Sequence, residues 1–545
     1  MRALRDAAGR GLRDPASLLA LGAALLGGGS VLLALSCTRW GAGIGGDGVA
    51  YVAGARNLLH GFGFSWIGPE GDVRPITIFA PLFSALLSGL GILGLDPLVG
   101  ARWLNAALFW VNVALVIRVL FRYTRETWLP LSGGILFVFS PVVLGLHTGA
   151  ASEPVFLMFL LLAVLAVARY AEEGTRRWVV LAAAAAAAAY LARYAGLMVI
   201  AGGFLSVLLV GREPRKNRLL SVLTYAGITG TVVALWFLRN SSLEGSSTSR
   251  ELVIEPLAAD IGRLLADLGS YWFLPDRVPL VLRSAVVGSG LILLAAAWVA
   301  VRRRPAHQGS EESSRAPRGA LPAIAVLMIA VYIAGVLLSR VLFVPRISLD
   351  QRILAPVYLL TILLVLFMAH DIYTAGRPLV RGLVAAGVFL LAVSYLGRGT
   401  IRALELQLDG QGFASRAWQR SPLVNALRLL PEDTPIYTNE VEALYLLAGR
   451  QAYRLPTGCL PEDALYTDLL GTECNTAEFL AWVERMRYAL ENREAVLAVF
   501  NSYAEQPYYA PLVPEMVAGL DILTTQGDGH MYVYDRDGWP ENPNW

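Results

Sequence analysis

Apolar runs of about 18 residues or more recur along most of the chain, and each is long enough to cross the hydrocarbon core of a bilayer as a helix. That recurrence constrains the fold more than any other feature. With 56% hydrophobic and only 16% charged residues, the composition is that of a polytopic membrane protein. The net charge of +3 is too small to argue for nucleic acid, and no nucleic-acid partner is expected. Where the positive charges sit is more informative than their sum, because cytoplasmic turns are rich in arginine and lysine.

A basic start (Arg2, Arg5, Arg10, Arg13) precedes the apolar run Ala16–Leu35. The run is long enough to span, and no small-residue cleavage site follows it cleanly. It therefore reads as a first transmembrane helix with its N-terminus in the cytoplasm. The later runs are Leu98–Phe121, Leu129–Leu146, Val155–Ala168, Val179–Leu191, Leu197–Val210, Leu219–Leu238, Val281–Val301, Leu321–Phe343, Ile353–Met368 and Leu383–Leu396. Together they predict about eleven crossings, with two or more arginines or lysines in every inward turn. The glycine-broken piece Phe79–Leu95 is assigned to the interface, since counting it as a span would put the basic clusters outside. The run Ala182–Ala189 permits close helix packing and carries no chemistry.

The expected fold class is thus an α-helical polytopic membrane protein with about eleven transmembrane helices and a small C-terminal extracytoplasmic α/β domain. Residues 1–398 form the transmembrane part, with a first outer loop at 39–96, and 399–545 form the soluble domain. In the latter, strand-like PIYTN, QAYRLP, AVLAVF, LDILTTQ and HMYVYDR alternate with the helical EVEALYLLAG and AEFLAWVERMRYALEN. The three cysteines give no metal framework; Cys459 and Cys474 could pair if the tail is extracytoplasmic, and Cys37 sits at a helix end.

The first outer loop contains GDGVAYVAGARNLLHGFG, an amphipathic pattern with Val49, Val52, Ala53 and Leu59 on one face and Arg56 and Asn57 on the other. Its Asp47 could cap that helix. On this topology, however, the same side of the membrane gathers charges from four loops. They are Asp47, Glu70, Asp72 and Arg74; His147 and Glu153; Arg193 with Tyr194; and Arg346, Asp350 and Arg352. Ionisable groups at a membrane edge are costly unless paired or wet, so such a gathering is a candidate site. A carboxylate can take a proton from an attacking hydroxyl or amine, and guanidinium groups can hold a phosphate leaving group. No phosphate loop, dinucleotide fingerprint, H-E-x-x-H or G-x-S-x-G motif is present, so a donor delivered within the membrane is the simpler choice. The aromatic run Tyr271, Trp272, Phe273 reads as interfacial belting.

Four stretches, GDGVAYVAGARNLLHG, HTGAASEPVFLMFLLL, LARYAGLMV and DQRILAPVYLLTILLV, resemble the GT-C superfamily of integral-membrane glycosyltransferases. That group includes protein O-mannosyltransferases and the aminoarabinose transferases of lipid A. YTNEVEALYLLAGRQAYRLP is similar to the extracytoplasmic domain of many bacterial members. The resemblance implies an enzyme of a bacterial cell or inner membrane that moves a hexose or pentose from a polyprenyl-phosphate-linked sugar to an acceptor lipid, glycan or protein, with inversion. It makes Asp47 and Glu153 the catalytic acids and Arg352 the donor-phosphate ligand, with Arg193 beside it; Tyr51, His147, Tyr194 and Asp350 complete the expected substrate contacts. The chain departs from the pattern in having Asp47-Gly48 where many relatives carry two adjacent acids. Asp47 and Glu153 alone would be a thin set of hard-oxygen ligands for a divalent metal, so no cofactor is assigned. A transporter or lipid flippase is the alternative, since charges at membrane depth also mark substrate pathways. Against it, no inverted repeat is visible in the sequence.

Overall fold

The computed structural model describes residues 15–68, 72–211, 213–244, 251–252, 278–303, 320–344, 350–455, 476–492, 495–504, 513–537 and 539. The chain begins with helix α1 (Pro15–Cys37), then α2 (Gly46–Leu59), a hairpin of β1 (Ser65–Ile67) and β2 (Val73–Pro75), and α3 (Leu82–Ile92). There follow α4 (Pro97–Thr124), α5 (Trp128–Val138), α6 (Pro141–His147), α7 (Glu153–Glu173), α8 (Arg176–Ala192), α9 (Gly196–Val210) and α10 (Arg215–Glu244). The helical part closes with α11 (Leu280–Arg302), α12 (Ala320–Leu342), α13 (Gln351–Ala375) and α14 (Pro378–Asp409).

Among the described residues, eight helices are long and apolar enough to cross a membrane: α1, α4, α7, α10, α11, α12, α13 and α14. The chain is an integral membrane protein. The expectation of about eleven crossings is refined in three places. The run Leu129–Leu146 is not one helix but the pair α5 and α6, bent by 65°. Ser140 caps α6 by accepting from the Val143 N–H, and Pro141 at the first helical position has no N–H to continue the preceding ladder. The runs Val179–Leu191 and Leu197–Val210 fall in helices of 17 and 15 residues, at or below the length a spanning helix needs. At 11 residues α3 is likewise too short to span, in keeping with its interfacial assignment.

Central and peripheral helices separate by burial. Of the spanning residues of α7 and α13, 72% and 78% are buried, whereas among the described side chains of α11 only Arg283 and Val287 are. The alanines of α8 serve the packing expected of them, Ala182, Ala183, Ala186 and Ala189 being fully enclosed against the core. In α2, Val49 and Val52 are buried as their spacing requires, but so is Asn57. Its side-chain amide donates to the Ser65 carbonyl (2.9 Å) and so ties α2 to the hairpin, which corrects its placement on the polar face.

The last long helix continues through residue 398 to Asp409, so the change to a sheet-bearing unit comes later than the apolar run ends. Beyond it lie α15 (Pro422–Arg428), β3 (Ile436–Thr438), β4 (Tyr453–Arg454), α16 (Thr476–Asn492), β5 (Val496–Phe500), β6 (Asp521–Gln526) and β7 (Gly529–Val533). The strands form one mixed sheet, ordered β4-β3-β5-β7-β6, with β3 parallel to both β4 and β5 and the remaining pairs antiparallel. All five residues of β5 are buried, as a central strand covered on both faces requires. Cys459 and Cys474 lie outside the described residues.

The stretch after α14 is laced to the first loop. The Phe413 N–H donates to the Ile44 carbonyl (2.8 Å), and Gly43 pairs in turn with Gly149. Gly412 allows this approach: its φ is +57°, and a Cβ there would lie 2.1 Å from the Ile44 oxygen. Arg56 adds a second tie, to Asp96 (3.0 Å) and to the Tyr445 hydroxyl (3.3 Å).

Candidate functional site

Asp47 lies in the first turn of α2, but it does not cap the helix. Gly45 holds the capping position, and no side chain closes the end. The Asp47 carboxylate is turned instead to Arg352, whose Nη2 donates to its Oδ2 at 2.7 Å. Gly48 makes this placement feasible, since a Cβ there would be 2.8 Å from the Ala150 carbonyl. A second acid after Asp47 would collide with the turn that delivers Glu153, which gives the Asp47-Gly48 pair a physical reason.

Glu153 opens α7 and is buried, with 2% of its side chain exposed. Its Oε1 receives Arg352 Nε at 2.9 Å and Arg193 Nη1 at 2.6 Å. Its Oε2 is buried with no hydrogen-bond partner among the described residues. Two asparagines of α4, seven positions apart and so on one face, hold the backbone on either side of it. Asn105 donates to the carbonyls of Gly149 (2.7 Å) and Ala151 (3.0 Å), and Asn112 to that of Pro154 (2.9 Å). Both asparagines are fully buried inside an apolar run, where the sequence reading assigned them no role. A buried amide in such a run is itself the signal, because it must find partners there.

Arg193 caps the C-terminus of α8 and also donates to Ser152 Oγ (3.3 Å), while Ser152 donates to the Tyr51 hydroxyl (3.1 Å). Burial pushes the Tyr51 phenol up to about 12, so the neutral form is favoured. Arg352 is set by its own helix start, because Asp350 caps α13 through the N–H groups of Arg352 (3.0 Å) and Ile353 (2.9 Å). The residues expected from four separate loops therefore meet: two carboxylates, two guanidiniums and a phenol form one connected cluster.

The other expected residues stand around it. His147 is buried, stacked on Phe109 with ring centroids 4.3 Å apart and hydrogen-bonded to Asn112 and the Val143 carbonyl. It packs the α6 end, and its ring nitrogens are both taken. Tyr194 donates to the carbonyls of Thr77 and Phe79 and accepts from Trp236 and Asn240, which seals the first loop against α10. Arg74 pairs with its neighbour Asp72. Glu70, Arg346 and the Tyr271 to Phe273 run lie outside the described residues. Sequence reasoning missed Arg239, which donates to the carbonyls of Ile76 (2.7 Å) and Phe64 (3.3 Å) and stacks over Trp236. It missed Tyr332 as well, a buried residue that donates to the Ile353 carbonyl (2.8 Å) and steadies the start of α13. Arg239 sits at the end of an apolar run, a position that could have marked it.

The Asp47 and Glu153 carboxylates are bridged by the Arg352 guanidinium, and no group of three histidine, cysteine, aspartate or glutamate side chains suited to a metal occurs among the described residues.

The fold has counterparts among solved structures. It is similar to ArnT from Cupriavidus metallidurans, solved bound to undecaprenyl phosphate, at 12% identity and TM-score 0.54, over 95% of this chain and 99% of that one. The oligosaccharyltransferase of Archaeoglobus fulgidus, solved with a tethered acceptor peptide, matches at 12% identity and TM-score 0.52, over 95% of this chain and 75% of that one. The arabinofuranosyltransferase AftD from Mycobacteria matches at 15% identity and TM-score 0.55; 95% of this chain pairs with 40% of that longer one. No protein-family model matches the sequence, and no curated protein matches it significantly. All three structural counterparts are GT-C glycosyltransferases, and the chain has the GT-C fold that its four motif-bearing stretches implied.

Proposed function

We propose that the chain is a membrane glycosyltransferase that moves a sugar from a polyprenyl-phosphate donor to an acceptor outside the cytoplasm. The observation that carries this reading is the single cluster of Asp47, Glu153, Arg193 and Arg352, drawn from four separate segments. The undecaprenyl phosphate bound by ArnT supports a lipid phosphate as donor carrier. In this reading the N-terminus is cytoplasmic, the helices up to Asp409 carry the membrane part and the sheet-bearing unit beyond them faces the acceptor.

The donor phosphate lies against Arg352, with Arg193 adding positive charge; guanidinium donors match phosphate oxygens in pairs. Asp47 is the general base. It takes the proton of the acceptor's hydroxyl or amine as that atom bonds to the anomeric carbon. The bond from that carbon to the phosphate oxygen breaks, and its electron pair leaves with the polyprenyl phosphate. Attack opposite the leaving group inverts the anomeric centre. The guanidiniums stabilise the charge growing on the departing phosphate, which is where fixed positive groups contribute most. Glu153, with one oxygen turned away from both arginines, meets a sugar hydroxyl and keeps the arginines in place.

The test is to supply the purified protein in lipid nanodiscs with radiolabelled polyprenyl-phosphate sugars and envelope extracts as acceptors. One label should move to a new product, and the Asp47→Asn variant should abolish the transfer. Vectorial movement of intact lipid-linked sugar across vesicles, with no new glycosidic product, would instead make the protein a transporter.

A further inference from the structure

The cluster is electrically balanced as it stands: two carboxylates face two guanidiniums. Arg352 spends its Nε on Glu153 and its Nη2 on Asp47, and Arg193 also points at Glu153. A phosphate added here brings negative charge beside both carboxylates, so a guanidinium that it shares holds one of them less well. Which one is decided by burial. Glu153 is 2% exposed, so water cannot take the place of a lost guanidinium there, and giving up Arg352 would leave Arg193 alone to balance a buried charge. Asp47 is 42% exposed, as is Arg352, and water can replace the guanidinium at little cost.

We propose that the donor's phosphate and Asp47 compete for the Arg352 guanidinium, so that donor binding is what frees Asp47 to act on the acceptor. This rests on the reading of Arg352 as the phosphate ligand. Without donor, Asp47 Oδ2 is occupied by an N–H donor and is aimed at Arg352, not at an incoming hydroxyl. When the phosphate takes Nη2, the carboxylate turns free at the moment the leaving group is in place. Glu153 holds Nε throughout and keeps the guanidinium plane fixed while one of its edges changes partner. The order of events follows: donor first, acceptor activation second.

Competition of this kind is visible as affinity. The probe is farnesyl phosphate, titrated against the full-length protein in nanodiscs with no sugar and no acceptor, so that no catalysis intrudes. Removing the competitor should tighten binding, about fivefold for a half-exposed ion pair, in both Asp47→Asn and Asp47→Ala. Arg352→Ala should weaken it tenfold or more. If Arg352→Ala weakens binding but neither Asp47 variant tightens it, the competition is overturned and the phosphate reading stands. If Arg352→Ala binds as the parent does, the phosphate reading falls and the competition with it.

Discussion

Helix α13 carries an ionic network at each end, and the two differ in kind. At its start Arg352 joins Asp47 and Glu153; about 28 Å further along, at 1.5 Å per residue, Asp371 joins Arg302, Tyr123 and Trp298. The Asp371 carboxylate receives Tyr123 (2.8 Å), Trp298 Nε1 (2.8 Å) and Arg302 (3.1 Å), and Arg302 also stacks over Trp298 and donates to Tyr123. Each member has several partners, two of them aromatic. The Asp47 end is built otherwise, with one buried carboxylate oxygen left over among the described residues and its outermost pair half-exposed. Charge at a membrane edge is thus common to both ends. What separates them is completeness: the Asp371 network is closed on itself, as a structural clasp between α4, α11 and α13 should be, and the Asp47 network has room for one more partner.

The sharpest way to break this contrast is Asp47→Asn against Asp371→Asn, assayed for transfer and for thermal unfolding. Asp47→Asn should lower the transfer rate roughly 100- to 10,000-fold, the span of a lost general base, with a melting temperature close to the parent's. Equal rate losses in the two variants would mean that the Asp47 end is not special. Next in size is Glu153→Gln, which leaves Arg193 and Arg352 without the carboxylate they share. It should cost about 3 kcal/mol of stability and, unlike Asp47→Asn, should be seen first as a lowered melting temperature. Asp371→Asn follows, at about 1–3 kcal/mol from the charged hydrogen bonds it weakens, with the transfer rate of the folded fraction unchanged.

The sequence carried the frame of this contrast and not its details. Each of the eleven apolar runs falls in a helix or a helix pair, because hydrocarbon leaves a backbone few alternatives. The sidedness argument also led to the right four segments for the cluster, since charges on one rim have few other charges to meet. The partners within that rim were not legible. Asp47 had the position of a cap and became an Arg352 partner; Asp350, given a substrate role, has the capping one, as an aspartate just before an apolar helix should. His147 and Tyr194 have the chemistry of ligands but spend it on packing and on loop carbonyls. The break at Ser140-Pro141 was written in the sequence and lost in the continuous apolarity around it. Asn105 and Asn112 needed three-dimensional placement, because their partners are backbone carbonyls about 40 residues away.

The smallest expected effect concerns Tyr51, which belongs to the site by position and to the scaffold by chemistry. Its hydroxyl accepts from Ser152, and its ring meets Phe79 and Phe83 at centroid distances of 5.3 and 5.4 Å. Tyr51→Phe keeps the ring contacts and leaves Ser152 with Arg193 as its remaining partner. The loss should be about 1 kcal/mol of stability, and the transfer rate should fall less than about threefold. The sign of the pH dependence follows from the raised value. The folded phenol holds its proton up to about 12 and the unfolded one only to about 10, so its contribution to stability is complete below pH 10 and declines as pH rises through that window. Melting curves between pH 9 and pH 11 should therefore fall less steeply in Tyr51→Phe than in the parent, while the rate profile from pH 6 to 9 keeps its shape in both. A rate profile that changed shape would put the phenol in the proton path and make Tyr51, not Asp47, the group that answers to the acceptor.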